Sequence, residues 1–262
     1  GALPTIHAAP RRQNRSRDGS TPVSPVPLMA RLPRLSIAGL PHLVDQDGHN
    51  GREVFLDATD RAAYRAALAQ AAPECGVAIH AYCLSGSRVL LLATPREPGG
   101  LSRMMQRVGR RYTAEFNRRH GGSGTVWAGR FRATVLEPGT ELLAGMCHVE
   151  SDAALAGDAS APDGERVSSA AHHLGLAVDP LVSDHAQFWS LGNTPFDRHA
   201  AYRLLVLQPL ADGQRRRLDD AVRKGWAVGS EAFIAQLGSV SNRRLRPLAP
   251  GRPRKTAAAG RA

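Results

Sequence analysis

After a polar start, the chain alternates between stretches of period two and stretches of period three to four. Residues 1–28 are rich in Pro, Ser and Arg and have no apolar periodicity. They cannot bury enough surface to offset the entropy of ordering, so they are expected to be disordered, with Met29 as the natural start. From Ala30 the pattern becomes globular. A short strand is expected around Leu43–Gln46, then a turn at Asp47-Gly48-His49-Asn50-Gly51, then the apolar Val54-Phe55-Leu56. Tyr64, Leu68 and Ala71 share one face of a helix that Asp57 or Thr59 can cap and that ends near Pro73. Val77–Cys83 and Arg88–Ala93, two runs of β-formers flanking Ser85-Gly86-Ser87, predict a hairpin. Leu101, Met104, Met105, Val108, Tyr112 and Phe116 form a helical apolar stripe. Beyond the Gly121-Gly122-Ser123-Gly124 turn, Phe131–Leu136 reads as a fourth strand and Glu141–Val149 as a helix opening just after Pro138-Gly139.

The resulting order, β-α-β-β-α-β plus a helix, predicts an α+β fold: a ferredoxin-like antiparallel sheet with helices on one face. Residues 152–167 read as a loop. The remainder to about Leu237 reads as a helical C-terminal extension, with apolar patches at Tyr202–Val206, Leu218–Val222 and Phe233–Leu237. Four segments follow: a disordered 1–28, a domain over 29–157, the helical extension over 158–237, and a basic tail over 238–262. At 262 residues a core of this size needs no covalent staple. Cys75, Cys83 and Cys147 are odd in number and not closely spaced, which argues against a disulfide framework or a C-x-x-C metal site. No apolar run is long enough for a membrane span and the N-terminus lacks a signal-peptide core, so a cytoplasmic location is expected.

Charge changes the picture. The net charge of +11 favours a polyanionic partner, with nucleic acid the default. Because 32 of the 34 basic residues are Arg in an Ala-rich chain, composition alone fits a compositional bias equally well. Placement is more informative: residues 103–132 hold eight Arg and one acid, and residues 243–262 hold seven basic residues and no acid. Arg103, Arg107, Arg110, Arg111 and Arg118 lie off the apolar stripe of the long helix, with Asn117 and Arg119 near its end. Together with Trp127, Arg130 and Arg132 they are candidates for phosphate contacts and for aromatic surfaces on which an unpaired base stacks. Taken singly, each Arg is more readily a solvated helix face than a contact. Pro250-Gly251-Arg252-Pro253-Arg254-Lys255 is similar to the core of an AT-hook, which would send Arg252, Arg254 and Lys255 toward a minor groove; a solvated basic tail explains it as well.

Several blocks carry a family resemblance. They are Gln46, Gly48, Asn50 and Phe55; Gly76-Val77-Ala78-Ile79-His80-Ala81-Tyr82; and Gly109-Arg110-Arg111-Tyr112 through Phe116-Asn117-Arg118-Arg119. The last block continues into Gly121, Gly124-Thr125, Trp127 and Gly129-Arg130-Phe131-Arg132, and Gly225–Glu231 with Phe233 extends the likeness downstream. Over most of the chain after Met29 the sequence resembles the tyrosine HUH transposases of small insertion sequences, especially REP-associated tyrosine transposases.

That resemblance implies a strand carrying histidine, an apolar residue and histidine. Period-two alternation puts both imidazoles on one sheet face, where they hold Mg2+ or Mn2+ against a scissile phosphate. It also implies a helix tyrosine that attacks phosphorus, with an amide or acidic ligand one turn later. Aligned on Ala81-Tyr82-Cys83-Leu84, the two histidine positions hold Arg88 and Leu90, the tyrosine position holds His148, and the turn-later position holds Asp152. A guanidinium has no lone pair to donate and an aliphatic chain has no donor atom, so no metal cofactor is expected and the catalytic set is not intact. His148 reads as a partly exposed helix residue rather than a nucleophile, and Tyr112, within the apolar stripe, as a core residue. Asp47 and Gly51 stand where relatives have basic residues.

The resemblance further implies DNA as partner, a palindromic hairpin with a single-stranded flank, bound by a monomer or homodimer at the nucleoid and not at a membrane. The reading is a transposase-type DNA-binding protein that has lost strand cleavage. Two alternatives stand beside it: an active transposase with a non-standard nucleophile, and a regulator or architectural protein.

Overall fold

The computed structural model describes residues 34–155, 167–241 and 243–247, without the side chains of 152–155. The chain divides into two units, Gly1–Leu32 and Pro33–Ala262. The first unit and the end of the basic tail, with Arg252, Arg254 and Lys255, fall outside the described residues.

The sheet contains β1 (His42–Asp47), β2 (Val77–Ser85), β3 (Arg88–Pro95), β4 (Arg132–Val135) and β5 (Val167–Ser168), in the order β4-β1-β3-β2-β5. All its pairings are antiparallel. The first four strands, with α1 (Ala58–Glu74) and α2 (Gly100–His120), make the expected β-α-β-β-α-β unit. β5 was not expected: it straddles the end of the stretch read as loop, with Val167 inside it and Ser168 just beyond, and extends the edge of β2 through Cys83 and Leu84. So short a strand has no hydrophobic periodicity of its own and exists only because β2 offers it a free edge.

Local chemistry accounts for the main helices. Asp57 caps α1 by accepting the Asp60 N–H at 2.9 Å, and Asp60 accepts the Leu56 N–H at 3.0 Å. Leu101, Met104, Met105, Val108 and Tyr112 of α2 are buried as the stripe predicts. α2 ends at Gly121, whose φ of 63° permits a left-handed cap that returns its N–H to the Asn117 carbonyl. Between β1 and α1, Asn50 takes a positive φ of 54°. Gly48 beside it is required by close approach, because a Cβ there would run into the Arg52 carbonyl oxygen.

The sheet is covered on both faces. Val44, Val89, Leu91 and Ala93 pack under α1 and α2, where Phe55, Tyr64, Tyr112 and Trp127 form an aromatic cluster with Tyr64 and Tyr112 centroids 5.2 Å apart. Leu43 and Leu92 face the other way. There they meet α3 (Thr140–Leu155) and the C-terminal helices α4 (Ala170–His173), α5 (Ala186–Trp189), α6 (Pro195–Val206) and α7 (Asp212–Lys224). The expectation of helices on one face holds for the β-α-β-β-α-β unit alone; the extension supplies the second layer because the other face is equally apolar. α8 (Glu231–Val240) closes a smaller cluster around Val135. The Gly225–Glu231 block ties this end of the chain to β4, through Val228 N–H to the Val135 carbonyl at 2.9 Å and Glu137 N–H to the Val228 carbonyl at 2.8 Å.

β2 contains a bulge between Ile79 and Ala81. One extra residue inverts the alternation, so Ile79 belongs to the α1/α2 core while Ala81 and Cys83 belong to the opposite one. His80 is the extra residue; its ring nitrogens lie 2.7 Å from the Ser183 carbonyl and 2.8 Å from the Thr94 hydroxyl. The three cysteines are buried free thiols, and burial raises that of Cys147 to about 12. No helix among the described residues is long and apolar enough to cross a membrane.

His42 is fully buried, donating from Nδ1 to the Leu40 carbonyl at 2.8 Å and accepting the Ile37 N–H on Nε2 at 3.2 Å. Burial lowers its pKa to about 4, against the opposing pull of the Leu40 carbonyl, and burial lowers that of His80 to about 4 too. Both are neutral in the fold and charge freely when unfolded, near pH 6.5. Their share of stability is complete above pH 6.5 and is lost as pH falls toward 4. Replacing His42 by Gln should make the loss of stability across that window shallower than the parent's by about 1.4 kcal/mol per pH unit, measured by denaturant titration. An unchanged slope would show that His42 is not held neutral.

Candidate nucleic-acid interface

One face of α2 is buried by its apolar stripe, and its outer face borders a groove. The opposite wall is the glycine-rich loop running from Gly121 to Phe131. The groove encloses about 720 Å3, with Arg34, Arg103, Arg110 and Arg130 on its rim and Gln46, Gly109 and Trp127 deeper in. The loop is held in shape by Asn117 Nδ2, which donates to the Gly124 carbonyl at 3.0 Å, and by Thr125 Oγ1, which donates to the Trp127 carbonyl at 3.0 Å. It is docked to the turn after β1 by the His49 N–H donating to the Val126 carbonyl at 2.9 Å. The Ala128 N–H donating to the Asp47 carbonyl at 2.9 Å and an antiparallel bridge between Gly48 and Trp127 also seat this loop.

The candidate arginines separate according to their neighbours. Arg110 and Arg130 are exposed on the groove and have no acidic partner among the described residues. Arg103 meets the exposed Glu97 at 3.5 Å and the Pro98 carbonyl at 3.5 Å, contacts of small energy in solvent. Arg111 is exposed on a different side, where with Arg107 and Glu74 it borders a hollow of about 260 Å3. Arg107 is ion-paired with Glu74, Arg118 with Glu115 at 2.6 Å, and Arg132 with Asp47 at 3.1 Å. Arg119 binds Asp57 at 2.9 Å and also Asp60, clamping the end of α2 to the start of α1. It is a structural tie more than a phosphate contact. No sequence signal separated most of these cases, since the carboxylates lie up to 85 residues from their partners.

The aromatic part of the expectation needs correction. Trp127 is only 5% exposed and Phe131 8%, so neither offers a face on which a base can stack. Trp127 is drawn into the cluster with Phe55, Tyr64 and Tyr112, and the Arg34 guanidinium lies 3.8 Å from the Phe131 ring centre. An isolated aromatic beside arginines looks the same in sequence whether it faces solvent or the core. Tyr112 behaves as expected: it is buried, its hydroxyl donates to the Val54 carbonyl, and burial raises its pKa.

The positions aligned with a metal and nucleophile site converge on the opposite sheet face. Arg88 from β3 makes a bidentate pair with Asp45 of β1, Nε–Oδ1 2.8 Å and Nη2–Oδ2 3.1 Å, and reaches Asp219 of α7 at 3.5 Å. His148 Nε2 of α3 lies 3.6 Å from the same Asp219 carboxylate. Burial opposes the charge on Arg88, but Asp45, Asp219 and Asp47 outweigh it and hold its pKa above the ordinary value. Leu90 packs half-buried against the adjoining core. Contrary to the expectation of partial exposure, His148 is buried, at 6% exposure, because this side of α3 faces the sheet. Asp152 lies in the last turn of α3, beyond the described side chains.

This set does not fit a divalent cation: the carboxylates that would attract one already hold a guanidinium. Asp45 is 2% exposed, so it needs that partner inside the fold. Sequence reasoning missed Asp45 and Asp219. The strand alternation that puts Asp45 directly opposite Leu90 could have revealed the first, whereas Asp219 reaches the cluster only through the packing of α7.

No protein-family model matches the chain, and no curated protein matches it. Among solved structures, one of a REP-associated tyrosine transposase bound to a REP hairpin is similar in outline, at 14% identity and a TM-score of 0.47. The similarity covers 61% of this chain and 93% of that one.

Arg88→Ala should destabilise the fold by about 1.5–3 kcal/mol, the worth of hydrogen bonds to a charged group. Adding Asp45→Asn should restore part of the loss, read from urea titrations as a double-mutant cycle. Strictly additive losses would mean that the two residues are not coupled.

Proposed function

We propose that the chain binds structured DNA, of the palindromic hairpin type with a single-stranded flank, through the groove between α2 and the glycine-rich loop, and that it does not cleave the strand. The observation that carries this is the convergence of Arg110 and Arg130, both exposed and free of acidic partners among the described residues, with Arg103 at the same rim. Guanidinium groups left to solvent around a groove are suited to phosphate oxygens, which they bind in bidentate geometry. The net charge of +11 adds long-range attraction. The hairpin form of the substrate comes from the sequence resemblance.

Absence of cleavage is supported by Arg88 and His148. Strand transfer of the kind the resemblance implies needs a metal against the scissile phosphate and an accessible nucleophile. Here a guanidinium is locked to Asp45 and the imidazole is buried beside Asp219. Both features belong to a binding protein rather than a nicking enzyme.

The test is anisotropy of a labelled hairpin oligonucleotide titrated at several salt concentrations. Affinity should fall by orders of magnitude between about 50 mM and about 200 mM salt. Replacing both Arg110 and Arg130 by Ala should lower the slope of log K against log salt by about 1.4–1.8, the release of two counterion equivalents, while Arg118→Ala should change it little. A salt-independent affinity, or an Arg110→Ala/Arg130→Ala protein that binds like the parent, would overturn the assignment. A covalent protein–oligonucleotide adduct would overturn the absence of cleavage.

A further inference from the structure

The C-terminal layer holds a second cluster of ionisable side chains, shared neither with the groove nor with Arg88. His172 and His173 end the short helix α4, and Asp184 precedes α5. Their nitrogen and oxygen atoms all lie within 4.8 Å of one another. His172 Nε2 is 3.1 Å from Asp184 Oδ1, and His173 Nε2 is 3.6 Å from that same oxygen.

The protonation of His173 is set from behind. Its Nδ1 lies 2.8 Å from Glu150 Oε1, and Glu150 also accepts the Tyr202 hydroxyl at 2.7 Å and the Ser169 hydroxyl. With Nδ1 turned to Glu150, Nε2 is the ring nitrogen left facing Asp184. That nitrogen is fully buried and has no hydrogen-bond partner among the described residues. It points toward the Asp184 oxygen at 3.6 Å, a gap that a ring proton, or a metal ion in its place, can fill. A buried carboxylate behind an imidazole, fixing its tautomer, is the arrangement that supports histidine ligands in metalloproteins.

We infer that His172, His173 and Asp184 form a binding site for a divalent transition-metal ion of the zinc class, with solvent completing the coordination. Two imidazoles and a carboxylate suit Zn2+ better than the hard cations, which prefer all-oxygen shells. Entry is open from the solvent side, since the His172 and Asp184 side chains keep 17% and 25% of their exposure. One rearrangement is required. His172 Nδ1 accepts the Asp179 N–H at 3.1 Å, so the ring proton is on Nε2, donated to Asp184. On metal binding this proton moves from Nε2 to Nδ1, the Nε2 lone pair goes to the metal, and the Asp179 N–H turns to solvent. The ion would tie α4 to the segment before α5 and, through His173 and Glu150, to α3. Its role is to lock the C-terminal layer onto the sheet.

The site can be tested on the untagged 262-residue chain after dialysis against a chelator. Titration with Co2+ alone should give a visible ligand-field band saturating at one ion per chain, and added Zn2+ should bleach it by displacement. Zn2+ should also raise the thermal midpoint, and a chelator should reverse the rise. Asp184→Asn and His172→Gln, at the partly exposed positions, should each weaken Co2+ binding by about tenfold or more, with an unchanged far-ultraviolet spectrum. Absence of both the band and the thermal shift in the parent protein would overturn the site. So would variants that bind with the parent's affinity, since the ion would then be held by other histidines.

Discussion

A sheet covered by helices on both faces gives most of its strand side chains no route to bulk water. Each polar group on such a sheet must find its partner inside the fold or lose more free energy than a single contact returns. β1, β3 and β2 are the inner strands, and their buried polar residues obey this rule with the exception of Gln46, whose Oε1 has no partner among the described residues. Asp45 is paired by Arg88, and His42 is satisfied as a neutral ring by Leu40 and Ile37. At the bulge in β2, His80 is satisfied by Ser183 and Thr94. The same demand extends into the second layer, where Glu150 of α3 gathers His173, Tyr202 and Ser169. Much of the ionic architecture is thus a consequence of double coverage.

The exposed side of α2 is under the opposite constraint. Its arginines need no partner, and whether each has one depends on whether a carboxylate from another element comes within reach. Glu74, Asp57 and Asp60 of the α1 region take Arg107 and Arg119, which knit the two helices together. Arg110 and Arg130, facing the groove, meet no such group among the described residues. Division of one basic helix into a structural side and a free side gives the proposed DNA interface its direction. The Arg88 cluster lies across the sheet, so recognition in the groove and chemistry at the aligned catalytic positions are physically separable properties of this scaffold.

The strongly periodic parts were legible in the chain. The α2 stripe from Leu101 to Tyr112, the Asp57 cap and the hairpin at Ser85-Gly86-Ser87 follow from local rules of spacing and turn chemistry, and the structure contains them. The bulge at His80 was hidden, because inverting an alternation by one residue leaves no mark in a run that is apolar on both faces. β5 was hidden because two residues carry no period. Trp127 was misread as a stacking surface because an aromatic among arginines has the same sequence context whether it points in or out.

The sequence by itself determined the order of elements in the β-α-β-β-α-β unit, the apolar stripes of its two helices, the excess of positive charge on α2, and the residue types standing at the aligned metal and nucleophile positions. These are properties of single residues and of spacing within one element. Only the tertiary structure decided which arginines are neutralised, that Asp219 joins Arg88 and His148, and that His172, His173 and Asp184 meet over Glu150. Those outcomes depend on pairs of residues up to 131 positions apart, brought together when helices dock on a sheet. Distance along the chain carries no information about such encounters, because the energy that creates them is the non-directional burial of apolar faces elsewhere.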